Sequence, residues 1–420
     1  MIDYHQALER LLAQIQRLPA QRCALGDAAG RVLASAVVSP MALPSFDHAA
    51  MDGYALRASP SLAAGSEHVV YGSQAAGDAS DERANPGDGD ACEIMTGASI
   101  PAGLDAVVAV ERTECLDRRA DGTPARIRLL DALHAADNVR YAGSDVAIDS
   151  AIVAPGERLA SAQIMLLAAL GVATLDVVAQ PRVAVICTGK ELQCDPHAPL
   201  VAGRIHNSNG PYLAAALAAA GACVLSCETV DDTATTYADA LQRAVAAGAD
   251  LIVSTGAVSM GRYDFVPEVL RRFHAQLLFH KVAMRPGKPL LAARLDRGPL
   301  VIALPGTPMA VAAGLRFIVV PALRAMTGQG SEPVMHAWLD TRQQPKSGLR
   351  HFLRASLYQH LDGQMCVRVS EHQQPFRIRP FAQADAWVVL PEDAGDCPAG
   401  TRVQVVGVEP VGAPLFRSPP

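Results

Sequence analysis

The stretch Arg297–Val320, "RGPLVIALPGTPMAVAAGLRFIVV", decides the fold. Its first half is a short apolar run of the buried-strand type. "PGTP" follows as a tight loop, with Thr307 as N-cap and Pro308 at the first helical position. The second half continues as an apolar helix. The same unit recurs upstream. "RVAVICTG" (Arg182–Gly189) reads as a strand. "NSNGPYLAAALAAAGACVL" (Asn207–Leu225) reads as a helix with Asn209 as N-cap, Pro211 in the first turn and Gly221 at the end. "TTYADALQRAVAAGADLIVSTG" (Thr235–Gly256) is helix then strand. Strands alternating with helices mean βαβ units, a parallel sheet and right-handed crossovers. The expectation is a central doubly wound parallel α/β domain at 181–328.

Around it the pattern changes. Leu8, Leu11, Leu12, Ile15 and Leu18 recur at helix spacing, so the chain opens with an amphipathic helix. From Asp47 to Asp145, short apolar runs such as "DAVVAVE" and "ARIRLL" alternate with Gly, Pro and Asp clusters, which indicates an inserted β-rich domain at 47–145. Residues 1–46 with 146–180 form a helical and stranded linking domain. After "MTGQGSEP" the helix signal fades. "HFLRASLY", "MCVRVSE", "AWVVLPE" and "TRVQVVGV" read as strands of a C-terminal β domain at 329–420.

Composition bounds the function. The chain has 420 residues, 36 Lys and Arg against 42 Asp and Glu, and a net charge of −6, so no basic field points to nucleic acid. Its length suits two to four domains. The first residues are amphipathic and acidic rather than a signal peptide. Apolar stretches are broken by Pro, Gly or charge before twenty residues, so no membrane span is expected. Nine Cys occur without a CxxC pair, and no His partner stands at zinc-ligand spacing. Reduced thiols and a cytoplasmic location are the reading.

The chemistry is expected at the carboxyl ends of the parallel strands, where open α/β sheets bind ligands. Three strands end there in loops rich in Gly and small polar residues: "CTGKEL" with Gly189 and Glu191, "STGAVSMGRYD" with Gly256, Ser259 and Asp264, and "LPGTPMA" with Gly306. Glycines let backbone N–H groups approach an anion, and a helix N-terminus adds partial positive charge. One such loop is ordinary turn chemistry; three on one edge indicate a phosphate-bearing ligand. "KVAMRPGKP" places Lys281, Arg285 and Lys288 in a turn with apolar flanks, with Pro289 closing it. A solvated charge run normally has acidic partners on a helix face. Cations fixed in a turn suit an oxyanion or phosphate.

Carboxylates form the third element. Asp52, Asp145, Glu191, Asp231, Asp232 and Asp264 stand beside Gly, Thr or Asn in loops. Hard oxygen ligands of that kind suit Mg²⁺, although Asp is also a common turn and cap residue. Thr96 in "IMTGASIP" is by default a turn hydroxyl. "PSFDHAAMDGYAL" (Pro44–Leu56) holds two carboxylates in a half-apolar irregular loop. His48, His206 and His280 lack metal-ligand spacing, and Trp338 and Trp387 read as packing residues. No GxSxG, HExxH or Walker loop is present, which removes support for hydrolase and P-loop readings.

In this order, "FDHAAMDGYAL", "IMTGASIPAGLDAVVAVE", "VAVICTGKEL", "IHNSNGPYL", "STGAVSMGRYDFV", "KVAMRPGKP" and "LPGTPMAV" resemble the molybdopterin molybdenumtransferases, the molybdenum insertion enzymes related to the E domain of gephyrin. The resemblance covers nearly the whole chain. It implies an elongated homodimer with four domains per subunit, one of them similar to the molybdopterin adenylyltransferases, themselves a candidate partner. It implies insertion of molybdate into adenylylated molybdopterin with release of AMP and with Mg²⁺. By the same resemblance, Arg285, Lys288 and Pro289 bind molybdate and substrate phosphate beside Lys281. Gly189, Gly256, Ser259 and Gly306 cradle the substrate. Glu191, Asp231 and Asp264 are candidate Mg²⁺ ligands, and Asp52, Thr96 and Asp145 reach in from the partner subunit. Asp52 faces substrate while Asp47 caps its turn. Arg350 and Arg354, in "GLRHFLR", match an Arg-rich segment in loose register.

The departures from the family pattern are specific. The Asp before Glu191 is Lys190, "GGVS" is "GAVS", and the acidic residue after it is Arg262. The first cation of "KPGKP" is Arg285, and "PGNP" is "PGTP". Of the Arg-Arg-Gly-Glu-Asp stretch, only Arg140, Gly143 and Asp145 remain. The serine-rich stretch before "ADAWVVLPE" reads "RIRPFAQ". These changes leave two alternatives to the transferase: a non-catalytic molybdopterin-binding scaffold, or an enzyme with altered oxyanion preference.

Overall fold

Residues 182–304 carry the central sheet. A computed structural model describes residues 1–79, 87, 89–258 and 265–409. The six-stranded sheet has the order Cys223–Val230, Arg182–Thr188, Leu251–Thr255, Leu300–Leu304, Leu291–Arg294, Gln276–His280. The first four are parallel, as the βαβ pattern requires. Leu291–Arg294 runs antiparallel to both its neighbours, so Gln276–His280 points the same way as the first four. The reason is the short link from Gln276–His280 to Leu291–Arg294: residues 281–290 contain no helix, and a parallel return needs a crossover of a dozen residues or more. Arg182–Thr188 is buried along six of its seven residues, which is why it reads as a continuous apolar run.

The helical run Pro308–Met326 is long and apolar enough to cross a membrane by length and composition, but 83% of its most apolar window is buried in the protein. Its apolarity is used in the core. Thr307 is the N-cap and Pro308 the first helical residue. The middle, Leu315–Val319, is a π-helical turn whose five residues are all buried. It turns Phe317 onto Phe352, ring centroids 3.8 Å apart, and edge-on to Trp387. Each buried aromatic contributes about 1.5–3 kcal/mol of burial. The contact therefore ties the helix firmly to the C-terminal strands. The opening helix, Tyr4–Leu12, buries Tyr4, Ala7 and Leu11 in this same core rather than against the strands that follow it.

Residues 53–129 form a second six-stranded sheet, ordered Ala106–Ala109, Gly53–Leu56, Asp90–Ile94, Glu67–Gln74, Pro124–Leu129, Thr113–Arg118. A smaller core joins Leu33, Val153, Leu159, Leu167 and Val177, with the helix Ser161–Ala169 over it. The C-terminal strands close on themselves. Arg350–Gln359 pairs with both Met365–Val369 and Ala386–Leu390, and Met335–Leu339 and Arg402–Gly407 complete a five-stranded barrel. Met335–Leu339 has no clear strand signal in the sequence. Closure removes the exposed edges of a small sheet. A two-residue strand, Met284–Arg285, extends the barrel from the α/β side.

Candidate active site

The carboxyl edge of the parallel strands gathers the glycine loops. Gly256 follows Leu251–Thr255 with φ +92°, and a Cβ there would lie 2.5 Å from Thr188 Oγ1 and 2.8 Å from the Thr188 carbonyl. No other residue fits that approach. A Cβ on Gly306 would lie 3.6 Å from the Gly256 Cα. The ends of three adjacent strands are therefore in contact. Asn209 is buried and its amide donates to the Gly306 carbonyl at 2.8 Å. This corrects its reading as an N-cap: Ser208 holds that position, and Asn207 Oδ1 accepts the Gly210 N–H at 3.0 Å. Asn207 and Asn209 thus bind the start of this helix to its neighbours, a role that turn chemistry alone did not reveal.

Beside Gly306 lies a cavity of about 460 Å³. Met284–Pro289 forms one wall, Pro305–Thr307 and Ala310 another, and Leu349 and Pro375 reach in from the barrel segment. Arg285 and Lys288 are both exposed in it, and no carboxylate stands among its described lining residues. The helix Pro308–Gly314 begins at its wall. Two exposed cations without a described carboxylate suit a multiply charged anion; the helix adds only its dipole, because Pro308 has no N–H and the Met309 and Ala310 N–H groups are taken by the Pro375 and Thr307 carbonyls. The turn carrying the cations is tied at both ends: Val282 N–H donates to the Lys288 carbonyl, and Lys281 N–H to the Leu290 carbonyl, both at 2.9 Å. Lys281 sits at the base of this turn with φ +70°. Pro375 and Leu349 were not legible as lining residues, because nothing in strand periodicity shows which barrel loop meets the α/β edge.

A second group lies further along the same edge. Gly189 N–H donates to the Val230 carbonyl at 3.2 Å, which brings Glu191 and Lys190 beside Asp231 and Asp232. Lys190 N–H meets Asp232 Oδ2 at 3.4 Å. Glu191 and Asp231 are both exposed. Among the described residues, no group of three or more His, Cys, Asp or Glu is placed to hold a metal. Ser259, Arg262 and Asp264 lie outside the described residues.

The third group is on the other sheet. Thr96 donates to Asp52 Oδ1 from its N–H at 2.7 Å and its hydroxyl at 2.8 Å, and these two bonds hold the Asp52 carboxyl below its ordinary range. Gly53 makes this possible. A Cβ there would stand 1.8 Å from the Val108 carbonyl, so only glycine lets the strand start directly after Asp52. Asp47 Oδ1 accepts the Ala142 N–H at 2.8 Å and ties its turn to the loop bearing Asp145. Asp145 is exposed, with its N–H on the Leu43 carbonyl.

The two barrel arginines part ways. Arg350 pairs with Glu392 at 3.0 Å, stacks on Tyr4 at 5.0 Å, and lines a different cavity of about 470 Å³. Arg354 is 1% exposed and donates to backbone carbonyls. Neither reaches into the cationic cavity as a lining residue.

Comparison with known proteins agrees with this architecture. Residues 2–171 match the MoeA N-terminal region (domain I and II), 184–325 a probable molybdopterin binding domain, and 337–408 the MoeA C-terminal region (domain IV). A molybdopterin molybdenumtransferase from Synechococcus elongatus is 35% identical over 413 residues, covering 96% of this chain and 99% of its own. Molybdopterin molybdenumtransferase 2 from Mycobacterium tuberculosis is 36% identical over 394 residues, 91% of this chain and 93% of its own. The crystal structure of the molybdopterin biosynthesis moeA protein from Pyrococcus horikoshii OT3 superposes with a TM-score of 0.79 at 25% identity, covering 96% of this chain and 99% of that one. With three regions matched in order and full-length relatives above 30% identity, the chain belongs to the molybdopterin molybdenumtransferase family.

Proposed function

We propose that this chain inserts molybdate into adenylylated molybdopterin and releases AMP. The observation that carries the reading is the cavity at Arg285 and Lys288: two cations beside a glycine-lined helix start, with no carboxylate in the described lining. A molybdate oxyanion next to a phosphate needs that balance of charge. Arg285 and Lys288 hold the oxyanion and substrate phosphate. They also stabilise the negative charge that grows on the phosphate oxygens as a water or molybdate oxygen attacks the phosphoanhydride, its P–O bond breaks and AMP leaves. Gly189, Gly256 and Gly306 let the main chain come close to the pyrophosphate; the Gly189 and Gly256 N–H groups are held by the Val230 and Leu304 carbonyls, so the direct charge balance comes from the cations.

Glu191 and Asp231 do not make a metal cage. As two exposed carboxylates flanking the Gly189 turn, they fit a Mg²⁺ that keeps waters and shares substrate phosphate oxygens. Bound there, it would neutralise phosphoanhydride charge. Asp52, Thr96 and Asp145 stand on the other sheet, so in this reading they complete the site across a homodimer. The four-part division at 46/47, 145/146, 180/181 and 328/329 belongs to the same reading, as do a cytoplasmic setting and docking of a molybdopterin adenylyltransferase.

The test is AMP release from adenylylated molybdopterin with Mg²⁺ and molybdate. Molybdate-dependent AMP above background is expected; its absence in folded protein sinks the enzyme and leaves a binding scaffold. Mixed dimers of Asp52→Ala and Lys288→Ala subunits test the shared site. They regain part of the activity if both subunits build it, and none if one subunit suffices.

A further inference from the structure

The C-terminal barrel buries an arginine with no acidic partner among the described residues. Arg354 is 1% exposed, and burial pushes its pKa down, with no neighbouring charge offsetting that. Every nitrogen of its guanidinium donates to one short segment. Nη1 meets the Arg377 carbonyl at 2.7 Å, Nη2 the His372 carbonyl at 2.6 Å and the Gln374 carbonyl at 3.5 Å, and Nε the Gln373 Oε1 at 3.4 Å. Gln373 answers from the loop: its Nε2 donates to the carbonyls of Arg354 and Ser370, both at 2.9 Å. The segment 372–377 is wrapped around the guanidinium, with the His372, Gln374 and Arg377 carbonyls turned inward. A backbone turn whose carbonyls face a buried cation has no equivalent arrangement once that cation is removed.

The loop leads to the cavity. The Pro375 carbonyl accepts the Met309 N–H at 3.0 Å, in the first turn of the helix that begins at the anion site. Pro375 itself is cavity wall, on the same rim as Gly306 and Thr307. Phe376 stands next to it, 67% exposed, with the Arg377 guanidinium 5.8 Å from its ring centroid.

We propose that Arg354 is a positioning residue for the reaction: its buried guanidinium templates the loop 372–377 and thereby sets Pro375 against the helix start at Met309, so that substrate meets a formed wall. This rests on the transferase reading for its kinetic arm and on structure alone for its exchange arm. Arg354 acts through the loop and does not touch the oxyanion. Lysine keeps the charge but cannot supply the planar fork.

The experiment compares Arg354→Lys, Arg354→Gln and Pro375→Gly in the full chain by hydrogen exchange and AMP-release kinetics. In both Arg354 variants, amides around Met309 and Arg377 should exchange about tenfold faster or more, while Ala386–Leu390 stays protected. KM for adenylylated molybdopterin should rise about tenfold in Arg354→Lys and in Pro375→Gly, with kcat within about threefold. The double variant Arg354→Lys/Pro375→Gly should be no worse than the poorer single, because both act on one wall. Wild-type exchange at Met309 in Arg354→Lys would overturn the proposal, as would fully additive KM effects. Where an Arg354 variant loses protection throughout the barrel, Pro375→Gly decides alone: an unchanged KM refutes the role of the wall. Absence of AMP release in the wild type refutes the transferase reading, and the exchange result at Met309 still decides whether Arg354 holds the loop.

Discussion

Lys288 and Asp52 carry opposite charges on opposite kinds of support. Lys288 stands in a turn tied backbone to backbone at both ends, between apolar residues that are buried in the α/β core. Its location is set by the main chain, and the side chain is left exposed to reach an anion. Asp52 is exposed on a turn, and its carboxylate is oriented by two hydrogen bonds from Thr96, 44 residues away. The first arrangement survives changes in neighbouring side chains. The second depends on one partner. In the proposed reaction the cationic turn binds without help from the acidic loop, whereas Asp52 acts only once the anion is held.

Substitutions can break that contrast at its strongest point first. Asp52→Ala should lower AMP release by about a thousandfold, with a modest fall in Tm from the two hydrogen bonds it accepts from Thr96; removal of one preorganised polar group at a reacting centre costs about 10²–10³-fold or more. Lys288→Ala should cost about a hundredfold in kcat/KM through the loss of a charge-assisted contact. Molybdate protection of the protein against thermal unfolding should vanish with it, while Asp52→Ala keeps that protection. Asp47→Ala should lose about 1 kcal/mol of stability with the hydrogen bond to Ala142 but, unlike Asp52→Ala, keep activity within about twofold. Equal loss of activity at Asp47 and Asp52, with folding intact, would remove the division of roles between them.

Thr96→Val sharpens the comparison through pH. The Asp52 pKa is depressed by donation from Thr96, so the carboxylate stays ionised to lower pH than a free one. Loss of the hydroxyl raises that pKa, and the acid limb of kcat/KM should move to higher pH, with the rate well above that limb little changed. A profile that does not move would show that Asp52 ionisation is not what the limb reports. The smallest effect is expected at Lys190→Asp. Restoring a carboxylate between Gly189 and Glu191 should tighten the Mg²⁺ dependence of AMP release several-fold. An unchanged Mg²⁺ titration would place Lys190 away from the metal.

Much of this was legible in the sequence because it is local. Thr307 and Pro308 mark a helix start wherever they fall, and the all-apolar run Val183–Cys187 has no use outside a sheet covered on both faces. Glycines at strand ends and cations in the Lys281–Pro289 turn are readable in the same way, since their chemistry belongs to the residues and their immediate neighbours. The antiparallel edge of the central sheet was missed because it follows from the absence of a helix between Lys281 and Leu290, a negative signal that periodicity does not carry. The role of Asn209 was missed for a related reason: an Asn at a helix start looks like a cap, and only the approach of Gly306 shows where its amide goes.

What the sequence determined by itself is the chemistry and the family: the order of the loop motifs, the α/β repeat, and the residues that bear charge. What only the tertiary structure decided is which of those residues meet. Leu349 and Pro375 line the cavity because the barrel closes and is seated on the α/β region by Phe317 and Phe352. Arg350 and Arg354, four residues apart on one strand, part ways because one meets Glu392 at the surface of a second cavity and the other is enclosed by a loop. Side chains on a strand alternate in direction but not in destiny; what covers each face is set by distant segments, and that is information no local pattern contains.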